Sequence, residues 1–215
     1  MSIDLIIFDC DGVLVDSEPL ANEELRLALR DWGLDLSLQE VIRHFVGLSM
    51  SSVIEKAENM AGKKIHENFL EDLQEKTFAA FRAGLKPVQG IASVLENLRA
   101  QDQKICVASS GDFTKMDLTL GLTGLQDFFT GRIYSATQVR RGKPYPDLYL
   151  HAADQMAVEP ARCLVIEDSL PGVQGAVAAG MEVLAYSVRG EDQALAKAGG
   201  MVIKDMRNII DFMAG

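Results

Sequence analysis

An uncharged apolar run, Leu5-Ile6-Ile7-Phe8, ends in two carboxylates one residue apart, Asp9 and Asp11, with Gly12 directly behind them. A continuous rather than alternating apolar run is what a strand buried on both faces of a parallel sheet requires. In open α/β sheets ligands bind beyond the carboxyl ends of the strands, so Asp9 and Asp11 are expected at a binding edge. Cys10 between them is expected to face the other way if the pleat continues, and Gly12 lets the backbone turn off sharply. By itself the stretch also suits a strand closed by turn-forming aspartates. A calcium loop is set aside. It needs oxygen ligands at alternate positions and a glycine at the sixth, whereas Gly12 follows Asp11 at once and Val13-Leu14-Val15 fills the ligand positions.

From Ser17 to Gly84 the pattern is helical. Ala21, Leu25, Ala28, Leu29 and Trp32 recur at helical spacing, and Ser37-Leu38-Gln39-Glu40 reads as a capping box ahead of Val41, Ile42 and Phe45. Ser52-Val53-Ile54-Glu55 reads as a second box, continued by Ala57 and Met60 and closed by Gly62. Phe69, Leu70, Leu73, Thr77, Ala80 and Phe81 form a further apolar face. After the linker Leu85–Gly90, strands and helices alternate. Strands are expected at Lys104–Ala108, Arg132–Ser135, Cys163–Ile166, Val183–Tyr186 and Met201–Ile203. Helices are expected over Ile91–Arg99, about Phe113–Leu120, from Pro146 with Leu148, Tyr149, Ala152 and Met156, and from Pro171 to Gly180, with a short last one carrying Ile209, Ile210 and Met213. Alternating βα units imply a parallel sheet with helices on both faces. The expected division is an α/β domain from residues 1–16 and 86–215, with an inserted α-helical domain over 17–85.

A chain of 215 residues that is 48% hydrophobic can bury such a core and an insertion. A net charge of −10 makes nucleic acid and anionic membrane poor partners, since both need basic patches. No run is long enough to span a membrane, and Asp4 interrupts the only stretch that resembles a signal peptide. The cysteines Cys10, Cys106 and Cys163 are odd in number, widely spaced and beside expected strands. They read as reduced thiols of a cytoplasmic protein.

In a parallel sheet the strand C-termini share one edge. Asp9/Asp11, Ser109/Ser110 and Glu167/Asp168 can therefore converge, with Lys143 presented nearby by Gly142-Lys143-Pro144. Four carboxylates in one cleft repel, by roughly 4 kcal/mol per pair at ~4 Å and an effective dielectric near 20. One lysine does not balance them. A hard divalent cation such as Mg²⁺ does, and it also brings in a phosphate oxygen. The expected chemistry is phosphoryl transfer. Asp9 is the nucleophile, and Asp11 protonates the departing alcohol and then activates water. Ser109 and backbone N–H groups donate to the phosphate, and Lys143 is a counter-ion. The metal ligands are expected from Asp9, the Asp11 carbonyl, Asp168 and, through water, Glu167.

These residues carry a resemblance. Asp9-Cys10-Asp11-Gly12-Val13-Leu14-Val15-Asp16-Ser17 resembles the first motif of the haloacid dehalogenase superfamily, and specifically of its β-phosphoglucomutase-like phosphatases. Ser109 matches the second motif, Lys143-Pro144 the third, and Glu167-Asp168-Ser169 with Gly172 the fourth. The resemblance spans the whole chain. It implies a Rossmann-like core, an α-helical cap over 17–85, Mg²⁺ and an aspartyl phosphate on Asp9. Ser17, Ser110, Gly111, Met50 and His44 are expected to border the substrate, a small phosphorylated metabolite.

Mutases of the group carry an arginine where Met50 falls and a histidine near Ala21, so a phosphatase acting on sugar phosphates is expected. A phosphosugar mutase is the alternative. A receiver-like or silent phosphate-binding protein is the second, although receivers lack a helical insertion. The sequence carries no signal of oligomeric state.

Overall fold

The computed structural model describes residues 3–46, 48–188 and 190–214. The strands are β1 (Leu5–Phe8), β2 (Lys104–Ser109), β3 (Ile133–Ser135), β4 (Cys163–Glu167), β5 (Glu182–Tyr186) and β6 (Met201–Ile203). They form one six-stranded parallel sheet in the order β3-β2-β1-β4-β5-β6, a Rossmann-like arrangement. β1 lies at its centre. Phe8 is in register with Val107 on one side and Ile166 on the other. The strand order reverses between β1 and β4, the place where open α/β sheets leave a crevice at their carboxyl edge.

The helices are α1 (Glu18–Trp32), α2 (Leu38–Phe45), α3 (Met50–Ala61), α4 (Phe69–Gly84), α5 (Ile91–Ala100), α6 (Phe113–Leu122), α7 (Asp147–Gln155), α8 (Leu170–Ala178), α9 (Asp192–Lys197) and α10 (Asn208–Ala214). The chain divides into two compact units, Met1–Asp16 with Lys86–Gly215, and Ser17–Leu85.

In the sheet unit, Leu5, Ile7, Cys106, Ala108, Cys163 and Val165 point to one face, against Leu148 and Tyr149 of α7 and Val173 of α8. Ile6, Phe8, Val107 and Ile166 are equally buried. Phe8 meets Phe129 edge-on, with ring centroids 6.1 Å apart. Both faces of the central strands are dry, which is why their sequences run apolar without alternation. Each such side chain contributes about 1.5–3 kcal/mol on burial. The chain leaves and re-enters this unit along one short antiparallel contact. Asp16 N–H donates to the Lys86 carbonyl and Val88 N–H to the Leu14 carbonyl, both at 2.9 Å.

The helical unit has its own core of Leu25, Leu29, Val41, Phe45, Val53, Ala57, Phe69 and Leu73. The capping box of α2 is present. Ser37 Oγ accepts from Glu40 N–H, and Glu40 Oε2 accepts from Ser37 N–H at 2.9 Å. The second expected box is corrected. α3 begins at Met50, and Ser49 caps it by accepting from Ser52 N–H at 3.2 Å. Ser49 has the extended backbone a cap needs, φ −65° and ψ 153°, so Ser52 becomes part of the first turn. Ile42, Met60 and Leu70, read as core-facing, are exposed, because each lies at the shoulder of its helix's buried stripe. The six-residue α9 was not anticipated; it buries only Leu195. No helix among the described residues is long and apolar enough to cross a membrane.

Candidate active site

Asp9 stands one residue beyond β1, and its N–H extends the ladder to the Ile166 carbonyl at 2.9 Å. Glu167 ends β4 and Asp168 follows it. Lys143 comes from the segment between β3 and α7. Its Nζ donates to Asp9 Oδ1 and to Glu167 Oε1, each at 2.6 Å. The side chains of Lys143, Asp9 and Glu167 are only 5%, 10% and 0% exposed, so this is a buried triad of charges.

Burial raises the Asp9 carboxyl to about 7. Lys143 opposes that rise, and the charges of Glu167 and Asp11 add to it. Burial alone would lower Lys143, but Asp9 and Glu167 overcome it and hold the ammonium well above its ordinary range. Glu167 moves the other way from Asp9. Burial would raise it, yet Lys143 and the hydrogen bonds it accepts bring it below the usual carboxylate value.

Those bonds occupy both Glu167 oxygens. Oε1 also accepts from Tyr149 Oη–H at 3.1 Å. Oε2 accepts from Asp168 N–H at 2.8 Å, Ser169 N–H at 2.7 Å and Ser169 Oγ at 2.9 Å. The Tyr149 ring lies 5.3 Å from Lys143 Nζ, a cation–π contact. Two glycines make the room. A Cβ on Gly172 would fall 1.7 Å from Glu167 Oε1, and one on Gly12 would fall 2.0 Å from Asp168 Oδ2. Gly12 also has φ +80°, which favours glycine.

Asp9, Glu167 and Asp168 each offer a carboxylate oxygen, and these oxygens lie within 4.8 Å of one another. An all-oxygen, acidic donor set suits a hard divalent cation. With both its oxygens already accepting hydrogen bonds, Glu167 is suited to reach such an ion through water.

Around this group lie the remaining expected residues of the sheet unit. Ser109 ends β2, is buried, and accepts from Gly111 N–H at 3.1 Å. Ser135 Oγ donates to the Gly111 carbonyl at 2.7 Å and fixes that loop. Ser110 is exposed. A Cβ built on Gly111 would lie 3.4 Å from Ser109 Oγ and 4.0 Å from Asp11 Oδ2, so Ser109, Gly111 and Asp11 are neighbours. Asp11 Oδ2 accepts from Lys115 Nζ at 2.8 Å. Cys10 turns away into the core, 3.8 Å from Thr119 Oγ1, and burial pushes its thiol well above the ordinary value.

The other three expected substrate contacts belong to the helical unit. Ser17 is buried at the start of α1, and its carbonyl accepts from Ala21 N–H at 3.0 Å. His44 lies in the last turn of α2, its ring edge-on to Phe45 and its carbonyl accepting from Lys56 Nζ at 2.8 Å. Met50 is the first residue of α3 and is exposed.

Two participants escaped the sequence reading. From sequence Tyr149 is one residue of the helix that Pro146 opens, and its position six residues after Lys143 is the available signal. Lys115 follows the capping Asp112 by three residues and carried no signal beyond that.

The haloacid dehalogenase-like hydrolase family matches residues 6–186, and the chain belongs to it. It is an α/β hydrolase of that family. It is 30% identical over 185 residues to the 6-phosphogluconate phosphatase of Escherichia coli strain K12, covering 86% of this chain and 82% of that protein. It is 28% identical to the phosphorylated carbohydrates phosphatase of Thermotoga maritima, over 98% of both chains. A Thermotoga maritima structure assigned as a β-phosphoglucomutase superposes with a TM-score of 0.84 at 27% identity, over 99% of both. The likeness to the β-phosphoglucomutase-like phosphatases read from the motifs therefore holds.

Proposed function

We propose that the protein hydrolyses small organic phosphomonoesters, sugar phosphates above all, with Mg²⁺ and through an aspartyl phosphate on Asp9. The observation that carries this reading is the buried meeting of Asp9, Lys143 and Glu167, with Asp168 beside them. The named substrates of the sugar-phosphate phosphatase relatives support the ester class.

In this reading Asp9 Oδ attacks phosphorus as the ester P–O bond breaks. Asp11 gives its proton to the departing oxygen, which leaves as the alcohol. Water then attacks the acyl phosphate and passes a proton to Asp11, releasing inorganic phosphate and restoring the Asp9 carboxylate. Lys143 orients Asp9 and offsets negative charge, while Ser109, the Ser110 N–H and, once it turns from Ser109 Oγ, the Gly111 N–H serve the phosphoryl oxygens. Asp9, Asp168 and the Asp11 carbonyl would hold Mg²⁺ directly and Glu167 through water. When bound, the ion neutralises charge between carboxylate and phosphate.

The helical unit, residues 17–85, is in this reading the cap, with Ser17, His44 and Met50 contributing to substrate choice. Met50, with no charge to grip a second phosphate, favours hydrolysis over phosphosugar mutation. The free, buried thiols Cys10, Cys106 and Cys163 suit a cytoplasmic enzyme.

The test is phosphate release from 6-phosphogluconate, hexitol phosphates and p-nitrophenyl phosphate, with Mg²⁺ and with excess EDTA. Release is expected only with the metal. Asp9→Asn should lower turnover by at least ~10³-fold, the upper range for losing a group central to the chemistry, with an unchanged circular dichroism spectrum. Turnover that survives Asp9→Asn rules out the aspartyl phosphate. Interconversion of glucose phosphates in place of phosphate release would make it a mutase.

A further inference from the structure

The first-motif loop is braced from one helix face. Lys115 and Thr119 are one turn apart on α6, so their side chains emerge on the same side. Lys115 Nζ meets Asp11 Oδ2 at 2.8 Å, and Thr119 Oγ1 lies 3.8 Å from Cys10 Sγ. Two successive residues of the loop are thus tied to α6 across more than a hundred positions of sequence.

Lys115 is itself held at both ends. Its N–H donates to the capping Asp112 Oδ1 at 2.8 Å, which fixes the first turn of the helix. Its stem runs beside Gly111, where a Cβ would sit 3.5 Å from Lys115 Cδ. The Lys115 side chain is 32% exposed and the Asp11 side chain 25%. A partly exposed pair of this kind adds little to stability, so its consequence lies in where it puts the carboxylate.

We propose that Lys115 is a positioning residue for the reaction. Its ammonium fixes the plane of the Asp11 carboxyl, so that Asp11 delivers a proton to the departing oxygen when the Asp9–phosphorus bond forms. The inference rests on the phosphatase reading above and adds a residue to it. Lys115 touches neither phosphate nor nucleophile in this role. It acts only through Asp11.

The role has a chemical signature. A leaving group that departs readily as an anion needs little proton donation, and an alcohol needs much. p-Nitrophenyl phosphate and p-nitrobenzyl phosphate share one aromatic body but leave as a phenol and an alcohol. Lys115→Met keeps the stem and removes the charge. It should lower kcat/KM for the benzyl ester by ~10²-fold, the low end for general acid catalysis, and for the phenyl ester by less than ~5-fold. Lys115→Arg should restore most of the benzyl-ester rate, and the melting temperature of each variant should stay near wild type.

Equal losses on both esters, or no loss on either, overturn the role of Lys115 while leaving the phosphatase reading intact. A wild-type protein that releases phosphate from neither ester nor from 6-phosphogluconate overturns both. Retention of the benzyl-ester rate in Lys115→Met at full p-nitrophenyl activity also overturns it.

Discussion

At the carboxyl edge of β1 and β4, in the sheet unit, three ionic groups are drawn inward. Lys143 and Glu167 are 5% and 0% exposed and share a bond at 2.6 Å. Among the described residues of the helical unit each ion pair keeps at least one partner in water: Glu23, which pairs with Arg26 one turn away, is 41% exposed, and Lys64, which pairs with Glu58, is 88% exposed. Both units have dry apolar cores, so the difference is not one of folding capacity. Buried charges cost several kcal/mol each in lost solvation, and mutual attraction repays that only with good geometry. Surface pairs cost little and are worth little. Three charges buried at a strand edge carry a solvation cost that the proposed phosphoryl chemistry accounts for, whereas pairs that keep a charge in water carry little.

The sharpest way to break this contrast is to remove one cation from each unit. Lys143→Met leaves Asp9 and Glu167 facing one another without a counter-ion. Unfolding in urea at neutral pH should show a loss of about 3–5 kcal/mol, with phosphate release abolished. Arg26→Met should leave the urea midpoint close to wild type and the activity unchanged. Comparable losses in the two variants would dissolve the distinction.

Glycines sharpen it on a smaller scale. Gly172→Ala puts a methyl where Glu167 Oε1 now lies, 1.7 Å away, so the carboxylate and the lysine it holds must shift. The cost should be about 1–3 kcal/mol, as for overpacking, together with a loss of activity far larger than the loss of stability. In the helical unit Gly62 ends α3 with φ +66° and has nothing within 4 Å of an added Cβ. Gly62→Ala should cost only the left-handed backbone strain, roughly 1–2 kcal/mol, with phosphate release unaltered. Thermal melts and phosphate assays on the two variants separate crowding at a site from strain at a cap.

The same contrast governs what could be read beforehand. Leu5–Phe8 announced itself because both faces of β1 are covered, and the polar residues after each apolar run fell on one edge because parallel strands must end together. Periodicity located four helices, but not where α3 starts. Ser49, Ser51 and Ser52 all offer a cap, and only the backbone at Ser49 decides among them. Nor could spacing show that Glu167 is gripped from both sides, or that Lys115 reaches Asp11 from 104 residues away. Those facts depend on long side chains bridging elements whose approach only the folded chain defines. Hydrophobic pattern specifies layers. Ionic partners are specified by what the layers bring close.

The smallest effect in the comparison is at Ser37 and Glu40, where a carboxylate earns its place without being buried. The Ser37 side chain and backbone both donate to Glu40, and they hold its carboxyl below the ordinary value. A group whose folded-state value is depressed binds fewer protons than in the unfolded chain. Its contribution is therefore complete above the unfolded carboxylate range, near ~4.3, and is lost as pH falls through the lowered folded value. Acid titration followed by helical circular dichroism should show the wild type losing stability over that window. Glu40→Gln can still donate to and accept from Ser37 but cannot titrate, so its stability should vary less steeply below about pH 4.3 and match the wild type only in acid. A parallel decline in the two proteins would mean that other carboxylates, such as Glu58 beside Lys64, carry the acid sensitivity of the helical unit.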